Sequence, residues 1–443
     1  MQYFLLTLGC AKNVADSDGM GAILERADIH KTENANDADV LIVNTCGFLQ
    51  ASRQESLDAL RNLAEQKRDG QLLIAAGCLI SRYGETVQRQ VPQIDAVIDA
   101  GHWLVMPHLI DHLKSREPGN AWLQEAYAGL PIDQIIARSI VTQLPRTIHA
   151  PSAYLKIADG CDRPCTFCII PAIKGAHRSK PVDAVIAEAR ELVSRGVKEI
   201  VLVAQDTTAF GWDWGQRDAL APLIEKLCTE VDGLRWLRLM YAYPGHVTPR
   251  LIETMARFPQ VVHYLDVPLQ HAHPETLKRM KRPNIVVARK MLDDLRAAMP
   301  DIAIRSTFIV GFPGETNEEF NALLEFLEEQ QFDRVGVFEF SREDGTPAAT
   351  MIEQVPPKTK KHRRERAMAL QQKISLAKNK KWKGRVVDVL VEGANDGISI
   401  ARSYRDAPEV DGIIIVDKEL PVGNFARVQI TGAIEYDLLA KPV

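Results

Sequence analysis

The stretch Cys161-Asp162-Arg163-Pro164-Cys165-Thr166-Phe167-Cys168 places three thiols within eight residues, just after the apolar, β-type run Ala153–Ile157. Three thiolates at this spacing can wrap one iron–sulfur cluster and leave its fourth iron without a protein ligand. An open iron is a place for chemistry, much as an open coordination position separates catalytic from structural zinc. A structural zinc site asks for four ligands, and the nearest histidine downstream is His177.

Working outward, strand-like and helix-like segments alternate from about residue 151. The expected strands are Ala153–Ile157, Glu199–Ala204, Trp236–Tyr241, His263–Val267, Ala303–Val310 and Arg334–Phe340. Helices are expected near 182–195, 218–231, 248–257, 285–299 and 316–330, with Pro181 suiting a helix start and Gly196 a helix stop. Six strand–helix units predict a TIM-like (β/α)6 barrel that is partial, since a complete one has eight. The cysteine loop follows the first strand, which puts it at the C-terminal face where barrel active sites sit.

Residues 1–100 also alternate. Tyr3–Leu8, Val40–Val43, Leu72–Ala76 and Ala96–Ile98 read as buried strands, the first followed by a helix capped by Ser17 and running to about Ala27. Short buried strands separated by helices imply an open parallel sheet, so the fold class is α/β. Cys10, Cys46 and Cys78 each lie just past a strand end. If those strands are neighbours, the three thiols emerge at one carboxyl edge, where open α/β sheets bind ligands. Periodicity alone equally admits three unrelated buried cysteines. Cys228 shares a helical face with Leu220, Leu223, Ile224 and Leu227 and reads as core.

Residues 101–150 are less patterned and read as a bridge. Residues 358–385 hold twelve Lys/Arg and one acid, Glu365, with Ala367, Leu370, Ile374 and Ala377 at helical spacing. That predicts a basic helix, either a solvated face with one packed stripe or a contact for anionic partners. From 386 on, short β runs (Val386–Val391, Ile398–Ile400, Ile413–Val416 and Ala426–Ile430) alternate with glycine-bearing turns, as in a small antiparallel β-barrel. This last segment has ten acids and five bases.

The 443 residues, 46% hydrophobic and 25% charged, suit about three globular domains and exclude a mostly disordered, collagenous or coiled-coil chain. Apolar stretches such as Leu72–Ile80 fall far short of the ~20 residues that span a bilayer. No basic, apolar leader is evident at the N-terminus, so the expected compartment is the cytoplasm. Seven cysteines, an odd number, do not suggest a disulfide framework there.

The CxxxCxxC motif, with Phe167 before its last cysteine, resembles that of the radical S-adenosylmethionine (SAM) superfamily. The resemblance implies that SAM chelates the open iron and is cleaved after receiving one electron. The glycine-rich Ile309–Glu315 stretch would then contact SAM through Gly311, Gly314 and Glu315, along with Phe167 and Gln205, although a tight strand–helix turn explains that stretch equally well. Three dispersed cysteines, CxxxCxxC and a terminal β-barrel together resemble the methylthiotransferases. That implies a second, auxiliary 4Fe–4S cluster on Cys10, Cys46 and Cys78, beside the radical SAM cluster on Cys161, Cys165 and Cys168, and a C-terminal TRAM domain. The implied domains are 1–145 (auxiliary cluster), 146–357 (radical SAM), 358–385 (basic helical linker) and 386–443 (TRAM).

Leu8-Gly9-Cys10-Ala11-Lys12-Asn13, Pro268-Leu269-Gln270-His271-Ala272 and Asp406-Ala407-Pro408-Glu409-Val410-Asp411-Gly412 resemble the family branch that modifies ribosomal protein S-twelve rather than the branch that modifies tRNA adenosine. Ala11 departs from a usual proline and Lys174 from a common arginine; neither is expected to touch a cluster ligand. Methylthiolation of an aspartate β-carbon is the implied reaction, with an external electron donor and the small ribosomal subunit as further partners. The acidic terminal barrel fits a basic protein and disfavours tRNA. Its removal is expected to weaken substrate binding while SAM cleavage persists. Asp206, Gln270 and His271 are substrate-side candidates; His273 shares their face, and Trp212 and Trp214 form either a contact patch or simple packing.

Overall fold

The computed structural model describes residues 1–115 and 151–443. The boundary expected at 145/146 and most of the bridge at 101–150 lie outside the described residues. These residues form two compact units: 1–115, 154–162 and 169–188 in the first, and 151–153, 163–168 and 189–443 in the second.

In the first unit, β1 (Gln2–Thr7), β2 (His30–Lys31), β3 (Val40–Thr45), β4 (Leu72–Gly77) and β5 (Ala96–Asp99) form a sheet ordered β2-β1-β3-β4-β5. Every pair in it is parallel. All six residues of β3 are buried, because the side-chain period of two sends Val40 and Ile42 into one apolar layer and Leu41 and Val43 into the other. Tyr3, Leu24, Ile74 and Trp103 complete the first layer, and Leu60, Leu73 and Leu79 the second. The first helix spans Ala11–Arg26 with Cys10 as its N-cap, so Ser17 is not the cap. The Ser17 hydroxyl instead bonds Thr7 Oγ1 at 2.7 Å and Asn44 Nδ2 at 2.9 Å, tying the helix interior to β1 and β3.

After β6 (Ser152–Lys156) come β7 (Ala158–Asp159), β8 (Arg178–Ser179), β9 (Glu199–Val203), β10 (Trp236–Leu239), β11 (Val261–Asp266), β12 (Ala303–Val310) and β13 (Arg334–Glu339). β7 and β8 pair antiparallel within the first unit. The others form one open six-stranded sheet ordered β13-β12-β11-β10-β9-β6, sequential as a partial (β/α)6 barrel requires. Its strands and the helices Leu220–Glu230, Pro249–Arg257, Ile285–Ala298 and Asn317–Gln330 fall within a few residues of the sequence expectation. Thr316 and Glu319 close a capping box at the start of the last of these helices.

The terminal strands β14 (Val386–Asn395), β15 (Ile398–Arg402), β16 (Ile414–Val416), β17 (Phe425–Ala433) and β18 (Leu438–Pro442) close into a barrel ordered β14-β15-β16-β18-β17. Val389, Val391, Ile414, Val428, Ile430 and Leu438 fill it. It is not purely antiparallel: β16 and β18 run parallel. The basic helix, Pro357–Lys380, buries a mixed face of Arg363, Ala367, Gln371, Ile374, Ser375 and Asn379, while Ala377 of the expected stripe is exposed.

A layer of buried ion pairs joins the terminal barrel to the sheet within the second unit. Glu199, the first residue of β9, accepts from Arg238 Nε at 2.7 Å and from Arg402 Nη2 at 2.6 Å. Arg334, the first residue of β13, pairs with Asp406, and Arg305 lies between Asp266 (2.8 Å) and Asp411 (3.3 Å). Asp333 takes Arg405 at 3.0 Å and Lys378 at 2.8 Å. Residues 402–411 are thus anchored beneath the sheet, and the carboxyl ends of its strands stay free for chemistry.

Candidate active site

Cys10, Cys46 and Cys78 follow β1, β3 and β4, which are adjacent, so the parallel register brings all three thiols to one edge of the sheet. Asn13 knits that edge, with Nδ2 donating to Leu8 O (2.8 Å) and Thr45 O (3.1 Å). Ser56 clamps the Cys46 peptide from both sides, accepting from its N–H at 3.0 Å and donating to its carbonyl at 3.1 Å. Gly77 turns the chain from β4 into Cys78 with φ +97°. A Cβ there would sit 2.5 Å from Asn44 Oδ1 and 2.6 Å from Thr45 O, so a side chain is excluded on both counts.

Burial raises the Cys78 thiol to about 12; Lys174 opposes this, and Cys10 and Cys46 reinforce it. Burial also raises Cys46, with Cys10 adding to the effect. Neighbouring thiolates thus add to the cost of ionising Cys46 and Cys78, and a cationic centre would relieve it, since metal coordination deprotonates thiols outright. This donor set fits an iron–sulfur cluster, whose cysteines each take a different iron. Among the described residues no three His, Cys, Asp or Glu side chains gather closely enough to hold a single metal ion.

Lys174 lies nearer to these thiols than its place in the sequence suggests. Its buried ammonium lies 3.4 Å from both Asp16 and Asp159, and Lys156 pairs with the same two carboxylates. Burial would lower Lys174; Asp159 and Asp16 override that and raise it well above the ordinary lysine range, and Cys78 adds to their effect.

Of the CxxxCxxC loop, Cys161 is buried, and Cys165 and Cys168 are half-buried. In the second unit the loop is pinned by Thr166, whose Oγ1 donates to Arg279 O at 2.8 Å and whose carbonyl accepts from Ala348 N at 2.9 Å. Phe167 packs on Met280, Phe312, Phe340 and Ala348. Arg282 Nη1 reaches Cys165 Sγ at 3.8 Å.

The other candidates divide by geometry. Gln205 and Asp206 follow β9, and Asp206 is buried, bonded to Arg163 Nε at 2.7 Å and Thr208 Oγ1 at 2.5 Å. Gln270 adopts φ +75° beyond β11, bridged to β12 through Thr307 O and Ile309 N at 2.8 Å each. A non-glycine residue held in that region marks a strained position of the kind found at binding sites. Glu315 accepts from Gly311 N (2.8 Å), Phe312 N (3.3 Å) and Arg363 Nη1 (2.7 Å), which makes its carboxylate a clamp on the glycine-rich turn. Gly314 N donates to Glu353 O, and the fully buried His271 stands 3.6 Å from Glu315. His273 caps the helix Pro274–Arg279, and Trp214 is 40% exposed. Cys228 is buried on its helix, as expected.

Three family models cover most of the chain: Uncharacterized protein family UPF0004 over residues 2–99, the Radical SAM superfamily over 155–327 and the TRAM domain over 384–443. Proteins described as ribosomal protein uS12 methylthiotransferase RimO are similar along the whole length. That of Roseiflexus sp. (strain RS-1) is 49% identical, covering 100% of this chain and 97% of its own; that of Chloroflexus aurantiacus is 50% identical, covering 99% of each. The chain belongs to the RimO family of radical SAM methylthiotransferases. Among solved structures, the radical SAM methyltransferase TsrM from Kitasatospora setae superposes with a TM-score of 0.59 at 14% identity, covering 78% of this chain and 76% of TsrM, a likeness of fold. For this RimO-family enzyme, sequence reading did not single out Arg163 and Arg282, which bond Asp206 and Cys165; they share no spacing pattern, and the available signal was their place in the cysteine loop and beyond the helix Pro274–Arg279.

Proposed function

We propose that this enzyme methylthiolates the β-carbon of an aspartate in ribosomal protein uS12 (S-twelve). The observation that carries the reading is near-50% identity along the full chain to uS12 methylthiotransferases, joined to a sheet edge that gathers three cysteines. Cys161, Cys165 and Cys168 would hold the radical SAM 4Fe–4S cluster, and Cys10, Cys46 and Cys78 the auxiliary one, in domains spanning 1–145, 146–357, 358–385 and 386–443. When bound, these cofactors supply what no side chain can: a methyl group for sulfur from one SAM, and removal of an unactivated C–H hydrogen by a second SAM after an external one-electron reduction, so that C–S replaces C–H. The chain's own part is to position them. Asn13, Ser56 and Gly77 fix the auxiliary thiols, Thr166 fixes the radical loop, and Glu315 with Arg363 holds the glycine-rich turn against which SAM would lie.

The terminal barrel supports a cationic protein partner, with six exposed acids (Asp388, Asp396, Glu409, Asp417, Glu419, Glu435) against three exposed bases (Lys418, Arg427, Lys441). No described helix is long and apolar enough to cross a membrane. Mass spectrometry of uS12 from cells lacking the gene should show loss of a methylthio-sized adduct. Changing Cys10, Cys46 and Cys78 together to Ala should halve the iron of the purified enzyme yet leave SAM cleavage measurable, whereas the Cys161/Cys165/Cys168 triple variant should halve the iron and abolish cleavage. Unaltered uS12, or methylthio-adenosine appearing in the tRNA digest when purified enzyme is supplied, would move the reading to tRNA.

A further inference from the structure

Arg163, between the first two cysteines of the radical loop, is immobilised on three sides within the second unit. Its Nε donates to Asp206 Oδ2 at 2.7 Å. Its Cζ lies 4.6 Å from the Trp212 ring centroid and 4.8 Å from that of Tyr243, so the guanidinium packs on two aromatic rings. His246 completes the wall, 4.3 Å from the Trp212 ring and stacked on Tyr243 at 4.8 Å. A second cation, Arg282, reaches the same Tyr243 ring at 4.2 Å and Cys165 Sγ at 3.8 Å. Stacking fixes the plane of a guanidinium and the Asp206 bond fixes its rotation, which is how a planar fork is pre-organised.

One nitrogen of that guanidinium is left over. Nη2 is enclosed with no hydrogen-bond partner, while the side chain as a whole retains 16% exposure. A guanidinium with an unpartnered Nη2 at the carboxyl edge of the sheet, two residues from Cys165, is complementary to a carboxylate, the group that arginine grips through parallel N–H···O bonds. We propose that Arg163 is the carboxylate-binding residue of the active site. The inference rests on the reading that the substrate is an aspartate. Gripping both oxygens of that side chain would fix the direction of the neighbouring Cβ–H bond, which is the positioning a radical abstraction needs. SAM also carries a carboxylate, and the experiment separates the two sources.

Full-length enzyme with both clusters reconstituted anaerobically is compared with Arg163→Gln and Arg163→Lys, with iron content and the electron paramagnetic resonance signal of the reduced clusters verifying loading. Binding of uS12, and of uS12 with Asn at the aspartate located by mass spectrometry, is followed by fluorescence anisotropy; KM for SAM is taken from cleavage without uS12. Wild type should bind the Asp form at least tenfold more tightly than the Asn form. Arg163→Gln should bind both at the weaker level with KM for SAM unchanged, and Arg163→Lys, which keeps the charge and loses the fork, should fall between. A tenfold rise in KM for SAM with uS12 discrimination intact would instead assign the gripped carboxylate to SAM. If wild type binds neither form of uS12, the substrate reading fails while the SAM arm still decides the role of Arg163. Loaded variants with unchanged uS12 discrimination and unchanged KM for SAM would overturn the proposal.

Discussion

Arg402→Met tests the buried ion layer beneath the sheet. Arg402 is 1% exposed and donates to Glu199 Oε2 at 2.6 Å, Ser152 Oγ at 2.7 Å, Glu392 Oε1 at 2.8 Å and Asp406 O at 2.8 Å. Methionine fills a similar volume and supplies none of these donors. Burial by itself would raise the Glu199 carboxyl; Arg238 and Arg402 override it and hold it down at about 2. Against an unfolded value of about 4.3, that depression corresponds to roughly 3 kcal/mol at neutral pH, shared between the two arginines. Asp406 O also loses its donor, so the total agrees with the ~3–5 kcal/mol found when one partner of a buried pair is removed.

The pH dependence has a definite sign. A depressed carboxyl stabilises above its unfolded pKa, and that stabilisation disappears as pH falls through about 4 towards 2. In Arg402→Met the Glu199 carboxyl moves back up, so the acid-side loss should still begin near the unfolded value but end at higher pH and be smaller. Urea unfolding followed by circular dichroism, at pH 7 and stepwise to pH 3, measures both effects. With a slope near ~3 kcal/mol/M, the midpoint should drop by about 1 M at pH 7. A midpoint within 0.3 M of wild type, with a superimposable acid profile, would refute the reasoning. The same ion pairs alter the expectation for deleting 386–443. Glu199, Arg305, Arg334 and Asp333 would each lose a buried partner, so SAM cleavage should fall along with substrate binding.

Gly77→Ala should place a Cβ against Asn44 and the Thr45 carbonyl at positive φ, lowering stability by ~2–4 kcal/mol and removing about half the iron; full iron content measured by colorimetric assay would contradict the tight approach. Cys228→Ser should keep full iron content and turnover, with a modest drop in melting temperature from burying a hydroxyl; loss of one cluster's worth of iron would make Cys228 a ligand.

Much of the architecture was legible because β-branched runs such as Ala303–Val310 and Val40–Val43 end at glycine or polar turns, and helices such as Ile285–Ala298 keep a clear apolar period. Where a residue had two physical options, the reading failed. Ser17 is a favoured capping type, but its hydroxyl is engaged by Thr7 and Asn44, and Cys10 takes the cap position without a side-chain bond. β18 was missed because Leu438-Leu439-Ala440-Lys441-Pro442 lacks β-branched residues and ends in proline. The cysteines announced themselves by their rarity. Arg163, Arg282 and the ion layer did not, since arginine and aspartate usually mark solvent and only tertiary packing distinguishes the buried ones.

The buried quartet of Asp16, Lys156, Asp159 and Lys174 sets an order of assembly on the ribosome. Asp16 leaves the exit tunnel 140 residues before Lys156 and 158 before Lys174. At ~5–20 residues per second, roughly 7–30 s of synthesis separate the first helix from its cationic partners. During that interval the β1–β5 sheet can complete both apolar layers from its own residues, but the Asp16 carboxylate must keep its water. The segment carrying Lys156, Asp159 and Lys174 then docks as a late, charge-neutralising piece, and with it comes the peptide leading into Cys161. The N-terminal thiols can therefore be arranged before the radical loop exists, while the charge balance around Cys78 is finished only after that loop, by Lys174 on the short helix that follows Cys168.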